Sequence, residues 1–232
     1  MFAHYMKIYI LHWNKLIERK ENITKELKKE GLTGEFIENY TVQEIHSDKK
    51  LSKVFGGMGG TASIFMKQMH ALKLISENHD YALILEDDVF LCSDFKKRLN
   101  DYIKQLPDDW DMFFIGDGCN LHIPDEYLKN DTNVYLKGNQ DKEFPRSISQ
   151  LQGGKGATRC LDAYLVKNSA AKKIVEAFEK VENIRNTPCD WWMNNIIRHY
   201  NFKVYWCEPT IATQGSQNKT YSSSLHNKND YN

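Results

Sequence analysis

Tyr81-Ala82-Leu83-Ile84-Leu85 is an unbroken apolar run that ends abruptly in Glu86-Asp87-Asp88. A strand apolar on both faces must be covered by helices on both sides, so the run predicts a central parallel strand. The pattern alternates outward from it. Lys7-Ile8-Tyr9-Ile10-Leu11 predicts an earlier buried strand. It leads through His12-Trp13-Asn14 into an amphipathic helix with Leu16, Ile23 and Leu27 on one stripe and Gly31 as its stop. Phe36-Ile37-Glu38-Asn39-Tyr40 reads as a second strand. A helix from about Ala62 to Glu77 precedes the apolar run, and another near Phe95 to Leu106 follows it. Further strands are expected at Asp111 to Gly116, Asp162 to Val166 and Phe202 to Cys207. Between the last two lie a helix from about Asn168 to Glu182 and a short one carrying Trp191, Trp192, Ile196 and Ile197. Strands alternating with helices define an α/β class, Rossmann-like, with a mostly parallel sheet flanked by helices. Residues 1–215 read as one domain and 216–232 as a polar, serine-rich, mobile tail. The polar stretch from about Asn120 to Lys155 reads as an irregular insertion suited to building an acceptor site.

Composition narrows the function. The chain has 232 residues, enough for a substantial core. Lysine plus arginine equals aspartate plus glutamate, 31 each, which argues against a duplex-binding protein with its basic face. No nucleic-acid partner is expected. Five cysteines stand singly with no CxxC pair, which argues against a zinc knuckle and for reduced thiols. The Asn-x-Thr matches at Asn22, Asn130 and Asn218 read as chance matches, because the first residues lack the pattern of a secretory signal. No apolar run reaches the length of a membrane span, so a cytoplasmic location is expected.

Three consecutive carboxylates after a buried strand repel one another, and a divalent cation removes that penalty. In an extended chain Glu86 and Asp88 share a side and can face one ion. An all-oxygen ligand set selects Mg²⁺ or Mn²⁺. The position suits a ligand site, because open α/β sheets bind at the carboxyl ends of their strands. The competing reading is a solvated acidic turn in which Asp87 or Asp88 bonds local backbone. Gly56-Gly57-Met58-Gly59-Gly60 either approaches a phosphate or simply connects two elements; it lacks the spacing of a dinucleotide or P-loop signature. Asp117, between Gly116 and Gly118, either lines an acceptor side or makes a turn.

Leu83-Ile84-Leu85-Glu86-Asp87-Asp88-Val89 resembles the central acidic motif of family 25 glycosyltransferases, the group of bacterial lipooligosaccharide and collagen galactosyltransferases. Leu11-His12-Trp13 with Glu18-Arg19, Ala163-Tyr164-Leu165-Val166, Thr187-Pro188-Cys189-Asp190 and Gln214 are similar to further family segments in the same order, over roughly residues 7 to 215. The resemblance implies a GT-A fold, a UDP-sugar donor, a divalent cation, and inversion at the anomeric carbon during transfer of a hexose, galactose or glucose type, to a glycan or protein hydroxyl. It also implies roles. Glu86 and Asp88 hold Mn²⁺ or Mg²⁺, with His226 as a third ligand from the tail. His12, Arg19, Lys67, Asp87 and Gln214 are the donor contacts. Asp190 is the general base, or else the N-cap of the helix it precedes. Arg19 meets the donor diphosphate or pairs with Glu18 or Glu26; Lys67 meets a phosphate or is a surface lysine. Two departures stand out: His12 replaces the family asparagine, and the family's Ser-His pair aligns to Met66-Lys67. Competing functions are a sugar nucleotidyltransferase and a catalytically inactive glycan-binding domain. The first would want a glycine-rich first strand-helix turn, where this chain has His12-Trp13-Asn14.

Overall fold

A computed structural model describes residues 6–137, 158–184, 186–216 and 218–222. In chain order the elements are β1 (Lys7–Leu11), α1 (Ile17–Lys29), β2 (Glu35–Ile37), α2 (Val42–Ser47), α3 (Lys49–Phe55), α4 (Gly60–Asn78), β3 (Tyr81–Glu86), β4 (Val89–Leu91), α5 (Phe95–Ile103), β5 (Met112–Phe114), β6 (Val134–Lys137), β7 (Ala163–Lys167), α6 (Asn168–Glu179), α7 (Cys189–Tyr200), β8 (Val204–Cys207) and β9 (Ala212–Gln214). Seven strands form one sheet in the order β2-β1-β3-β7-β5-β8-β6. Strands β2, β1, β3, β5 and β8 run one way; β7 and β6 run against them. Strands β4 and β9 pair separately as an antiparallel ribbon.

The period of two along each strand divides the core between two faces. Tyr9, Leu11, Ala82, Ile84, Tyr164 and Val166 face Phe65, Leu72, Ile174, Trp192 and Met193 of α4, α6 and α7. Ile8, Ile10, Leu83, Leu85, Ala163 and Leu165 face Ile23, Leu27, Phe95 and Leu99 of α1 and α5. The result is a three-layer α/β/α domain, and the both-sided burial of β3 explains its continuous apolar sequence. Trp192 belongs to this core, against Phe65 and Phe178, whereas Trp191 is about half exposed.

Several elements depart from expectation. Helices α2 and α3 occupy a stretch where no helix is predicted. Their starts carry side-chain caps: Thr41 and Glu44 form a reciprocal capping box, and Asp48 accepts from Lys50 and Leu51. Strand β6 lies inside the expected irregular insertion; residues 138–157 of that insertion are outside the described residues. The glycine-rich run is a joint between α3 and α4, with Gly56 and Gly59 at positive φ, where a side chain would be strained. The start of the polar tail is tied down: Gly215 and Tyr221 make backbone bonds to Asp88 and Gly215, and Tyr221 stacks on Phe90. Cys92, Cys189 and Cys207 are free thiols. Among the described residues no helix is long and apolar enough to cross a membrane.

Candidate active site

The carboxyl ends of β1, β2, β3, β5 and β8 share one edge of the sheet, and the start of the reversed strand β7 joins them there, since Ala163 lies opposite Leu85. Over the β1 and β3 part of that edge lies a pocket of about 670 Å³, counting the space open to solvent. Leu11, Trp13, Leu16, Val42 and Ile64 wall it with apolar surface, and His12, Arg19, Ser63, Lys67, Glu86 and Asp87 supply its polar groups. The α3–α4 joint reaches it through Gly60.

Asp87 anchors the pocket. Its Oδ2 is 2.7 Å from His12 Nδ1, and its Oδ1 accepts from Arg19 at 3.1 Å. Arg19, 7% exposed, also donates to the Ser222 carbonyl at 2.7 Å and lies over the Tyr221 ring. Its ion pair is therefore with Asp87 across the fold, not with Glu18 or Glu26; Glu26 pairs with Lys29. Burial on the helix face that packs against the sheet explains the difference, because a guanidinium there requires a partner of equal burial.

Asp87 and Asp88 turn between β3 and β4 rather than continuing the extended chain. The turn is buried, at 6% and 2% exposure, so it is not a solvated acidic turn. Asp88 Oδ2 accepts from the Ser216 amide at 3.1 Å, while its Oδ1 is buried without a partner. Glu86, the last residue of β3, accepts from Gln214 Nε2 at 2.8 Å. Burial, then the charges of Asp88 and Asp162, holds the Glu86 carboxyl well above its usual range. Burial likewise raises Asp88, against the pull of Arg19.

Asp162 is a site residue the sequence reading passed over as the first residue of a strand. It is fully buried, and neither carboxylate oxygen has a partner. Burial raises its pKa well above the usual aspartate value. The carboxylate packs on Gly116 and Gly118, where even a methyl group would collide with it or its backbone neighbours. Between those glycines Asp117 accepts from the Gln214 amide at 3.2 Å. Gln214 thus bonds both Asp117 and Glu86, and Glu86 in turn feels the charges of Asp88 and Asp162. Among the described residues no three His, Cys, Asp or Glu side chains form a cluster able to hold an ion alone. Orphaned, buried carboxylate oxygens nevertheless fit a hard cation that takes one or two protein carboxylates and completes its shell with substrate phosphate and water. His226 lies outside the described residues.

Lys67 is not a surface lysine. It is 3% exposed, donates to the Asn39 carbonyl, and burial lowers its pKa to about 8. Asp190 is not an N-cap: Pro188 holds that position, and Asp190 sits in the first turn of α7 with its carboxylate on the Trp191 amide. It is half-buried, and burial raises its pKa. Neither Asp190 nor Asp88 lines the pocket. Burial, then the charges of Asp190 and Glu86, raises the Cys189 thiol, which puts the start of α7 within electrostatic reach of Glu86. Farther along the edge, Glu208 accepts from the Ile123 amide and from Arg159 and lies 3.2 Å from His122 Nδ1. Nothing in the sequence marks that group, whose members are 86 positions apart or fewer yet share no motif.

A family model described as glycosyltransferase family 25 (LPS biosynthesis protein) matches residues 5–193. No curated protein sequence matches significantly. Solved structures are similar only at a distance. A glycosyltransferase involved in glycosylation of the major capsid of PBCV-1 is 10% identical over 93% of this chain and 99% of its own, with a TM-score of 0.45. A mutant Drosophila β-1,4-galactosyltransferase 7 with manganese, UDP-Gal and xylobiose is 11% identical over 97% and 79%, with a TM-score of 0.43. The galactosyltransferase LgtC with donor and acceptor sugar analogs is 14% identical over 97% and 81%, with a TM-score of 0.41. With the family model spanning most of the domain and its acidic edge, the chain belongs to glycosyltransferase family 25 and is a glycosyltransferase.

Proposed function

We propose that the enzyme moves a hexose from a UDP-sugar to a hydroxyl of a glycan or protein, with inversion and with a bound divalent cation. The observation that carries this reading is the pocket itself. Its apolar walls suit a nucleoside, and Glu86 and Asp87 line it, next in the chain to Asp88, which has a buried oxygen without a partner. Glu86 and Asp88 would hold Mn²⁺ or Mg²⁺. Such an ion neutralises the charge that develops on a departing diphosphate. Arg19, fixed by Asp87, adds positive potential at the same place. Gln214 keeps the Glu86 carboxylate in position through its amide. An acceptor hydroxyl attacks the anomeric carbon from the face opposite the leaving diphosphate. Its proton passes to Asp190, whose burial-raised pKa suits a group that takes up a proton.

The test is UDP release from a panel of UDP-sugars with Mn²⁺, with and without chelator. Turnover that chelator abolishes, and that Asp88→Ala loses, supports the reading. Turnover indifferent to both would leave a glycosyltransferase without the proposed cation. For Asp190, Asp190→Asn should lower kcat and flatten the acid limb of the pH profile; an unchanged profile assigns the proton elsewhere.

A further inference from the structure

The sheet edge spaces the polar groups of the pocket. Neighbouring strands lie ~4.8 Å apart, so the end of β3 and the segment after β2 are separated by ~10 Å, two strand steps. The order β2-β1-β3 fixes which groups stand at each end. Glu86 and Asp88 mark the β3 end. Lys67 belongs to the other, because its ammonium is anchored on the carbonyl of Asn39, just past β2. His12, at the end of β1, also turns toward that side: its Nε2 lies 4.0 Å from Glu38 Oε1. A nucleoside diphosphate whose phosphates lie at the β3 end therefore carries its base toward Lys67 and His12.

The two side chains differ in hydrogen-bonding character. Lys67 has three donors and no acceptor, and one donor goes to Asn39. His12 is 1% exposed and has Nδ1 on the Asp87 carboxylate. With the ring proton on Nδ1, a neutral imidazole turns a lone pair out on Nε2. That nitrogen is buried and has no partner. A donor and an acceptor thus line the same pocket, among its apolar walls, toward the β2 side.

We propose that Lys67 and His12 read the nucleobase of the donor: Lys67 donates to a ring carbonyl oxygen, and His12 Nε2 accepts the neighbouring ring N–H. Uracil presents that pair as O4 and N3–H, and guanine as O6 and N1–H. Cytosine and adenine present the inverse, an amino donor beside a bare ring nitrogen. Against this pocket they would set donor against ammonium and lone pair against lone pair. A site built to hydrogen-bond one edge rejects the mismatched edge strongly, because its own buried groups are then left unpaired. The inference rests on the nucleotide-sugar reading and narrows it to donors with a lactam or imide edge. Lys67 then reads the base and not the phosphate.

The test is calorimetric titration of the full chain with UDP, CDP, GDP, ADP and inorganic pyrophosphate, each with Mn²⁺. Wild-type protein should bind UDP or GDP at least about tenfold more tightly than CDP or ADP. Lys67→Met should erase that preference, weakening UDP about tenfold or more while CDP stays within about twofold. His12→Gln, checked for folding by thermal melting, should narrow the same ratio. Equal weakening of UDP, CDP and pyrophosphate by Lys67→Met would make Lys67 a phosphate contact and overturn the proposal. So would equal binding of UDP and CDP by the wild type. Should Lys67→Met fail to fold, N3-methyl-UDP on wild-type protein decides: binding as tight as UDP removes the role of His12. Failure of every nucleotide to bind wild type sinks the donor reading itself, an outcome distinct from loss of base preference alone.

Discussion

Asp87 and Asp88 are adjacent, both buried, both near Arg19, and unlike in how fully their oxygens are partnered. Asp87 has a side-chain partner on each oxygen, Arg19 on one and the His12 ring on the other. Asp88 has one oxygen on a backbone amide, with Arg19 3.8 Å away, and the other on nothing. The same division runs along the whole edge. Glu208 is satisfied by Arg159, His122 and the Ile123 amide, whereas Asp162 has two orphaned oxygens. A buried carboxylate without partners is costly, so its retention has to be explained by something outside the folded chain. On the proposed cation site, Asp87 and Glu208 are parts of the scaffold, and Asp88 and Asp162 would meet the ligand at the expense of stability.

The largest effect should come from breaking the satisfied side. Asp87→Ala leaves Arg19 and His12 buried without their acceptor and should cost about 3–5 kcal/mol in urea unfolding. A loss under ~1 kcal/mol would mean that the pair is no better than a surface ion pair, and the division between the two acids would disappear. Asp88→Ala should do the reverse. Stability in chelator stays level or rises, while kcat falls on the order of 10²–10³-fold. If unfolding free energy drops as it does for Asp87→Ala, Asp88 belongs with the scaffold.

These residues also show where the sequence could be read and where it could not. The apolar run of β3 and its acidic end announced themselves, because burial on both faces leaves no polar position until the strand reaches the edge. The partners of those acids did not. Arg19 looked like a helix-surface residue with acidic neighbours, and its pairing with Asp87 depends on how α1 is rotated against the sheet. Asp162 was hidden by direction. In a wholly parallel sheet the first residue of a strand lies at the end away from the site, but β7 runs against β3 and delivers Asp162 to the same edge as Glu86. A run of five apolar-rich residues carries no record of which way it points. The caps at Thr41 and Asp48 went unread, because the helices they start are only six and seven residues long; α2 brings Val42 and Gln43 to the pocket lining.

Asp162 gives a smaller, sharper test. Asp162→Asn keeps the shape against Gly116 and Gly118 and removes a carboxylate with no partners. In chelated protein its unfolding free energy should be unchanged or higher, by no more than about 1–3 kcal/mol. A clear drop would reveal a structural partner and move Asp162 to the satisfied set. The same variant should bind Mn²⁺ and UDP less tightly if its orphaned oxygens serve the ligand.

The smallest effect belongs to His122 and Glu208, where satisfaction can be titrated. The hydrogen bond that His122 donates to Glu208 raises His122 above its usual value of 6.5; Asp117 pulls the same way, while burial and Arg159 oppose. Burial pushes Glu208 up, yet His122, Arg159 and the Ile123 amide together bring it below 4.5. A raised histidine stabilises the fold fully below 6.5 and loses that contribution as pH rises through its folded value. A lowered glutamate contributes above 4.5 and fails as pH falls through its own lowered value. The pair therefore contributes most between those two limits. His122 is half exposed, its side chain at 49%, so solvent screening keeps the whole contribution below about 1 kcal/mol. Thermal melts of wild type and His122→Gln should differ most near about pH 5.5 and converge by about pH 8.5. A gap that stays constant across that range would mean the imidazole acts through packing alone. Glu208 would then owe its low pKa to Arg159 and the Ile123 amide, which are indifferent to pH over this interval.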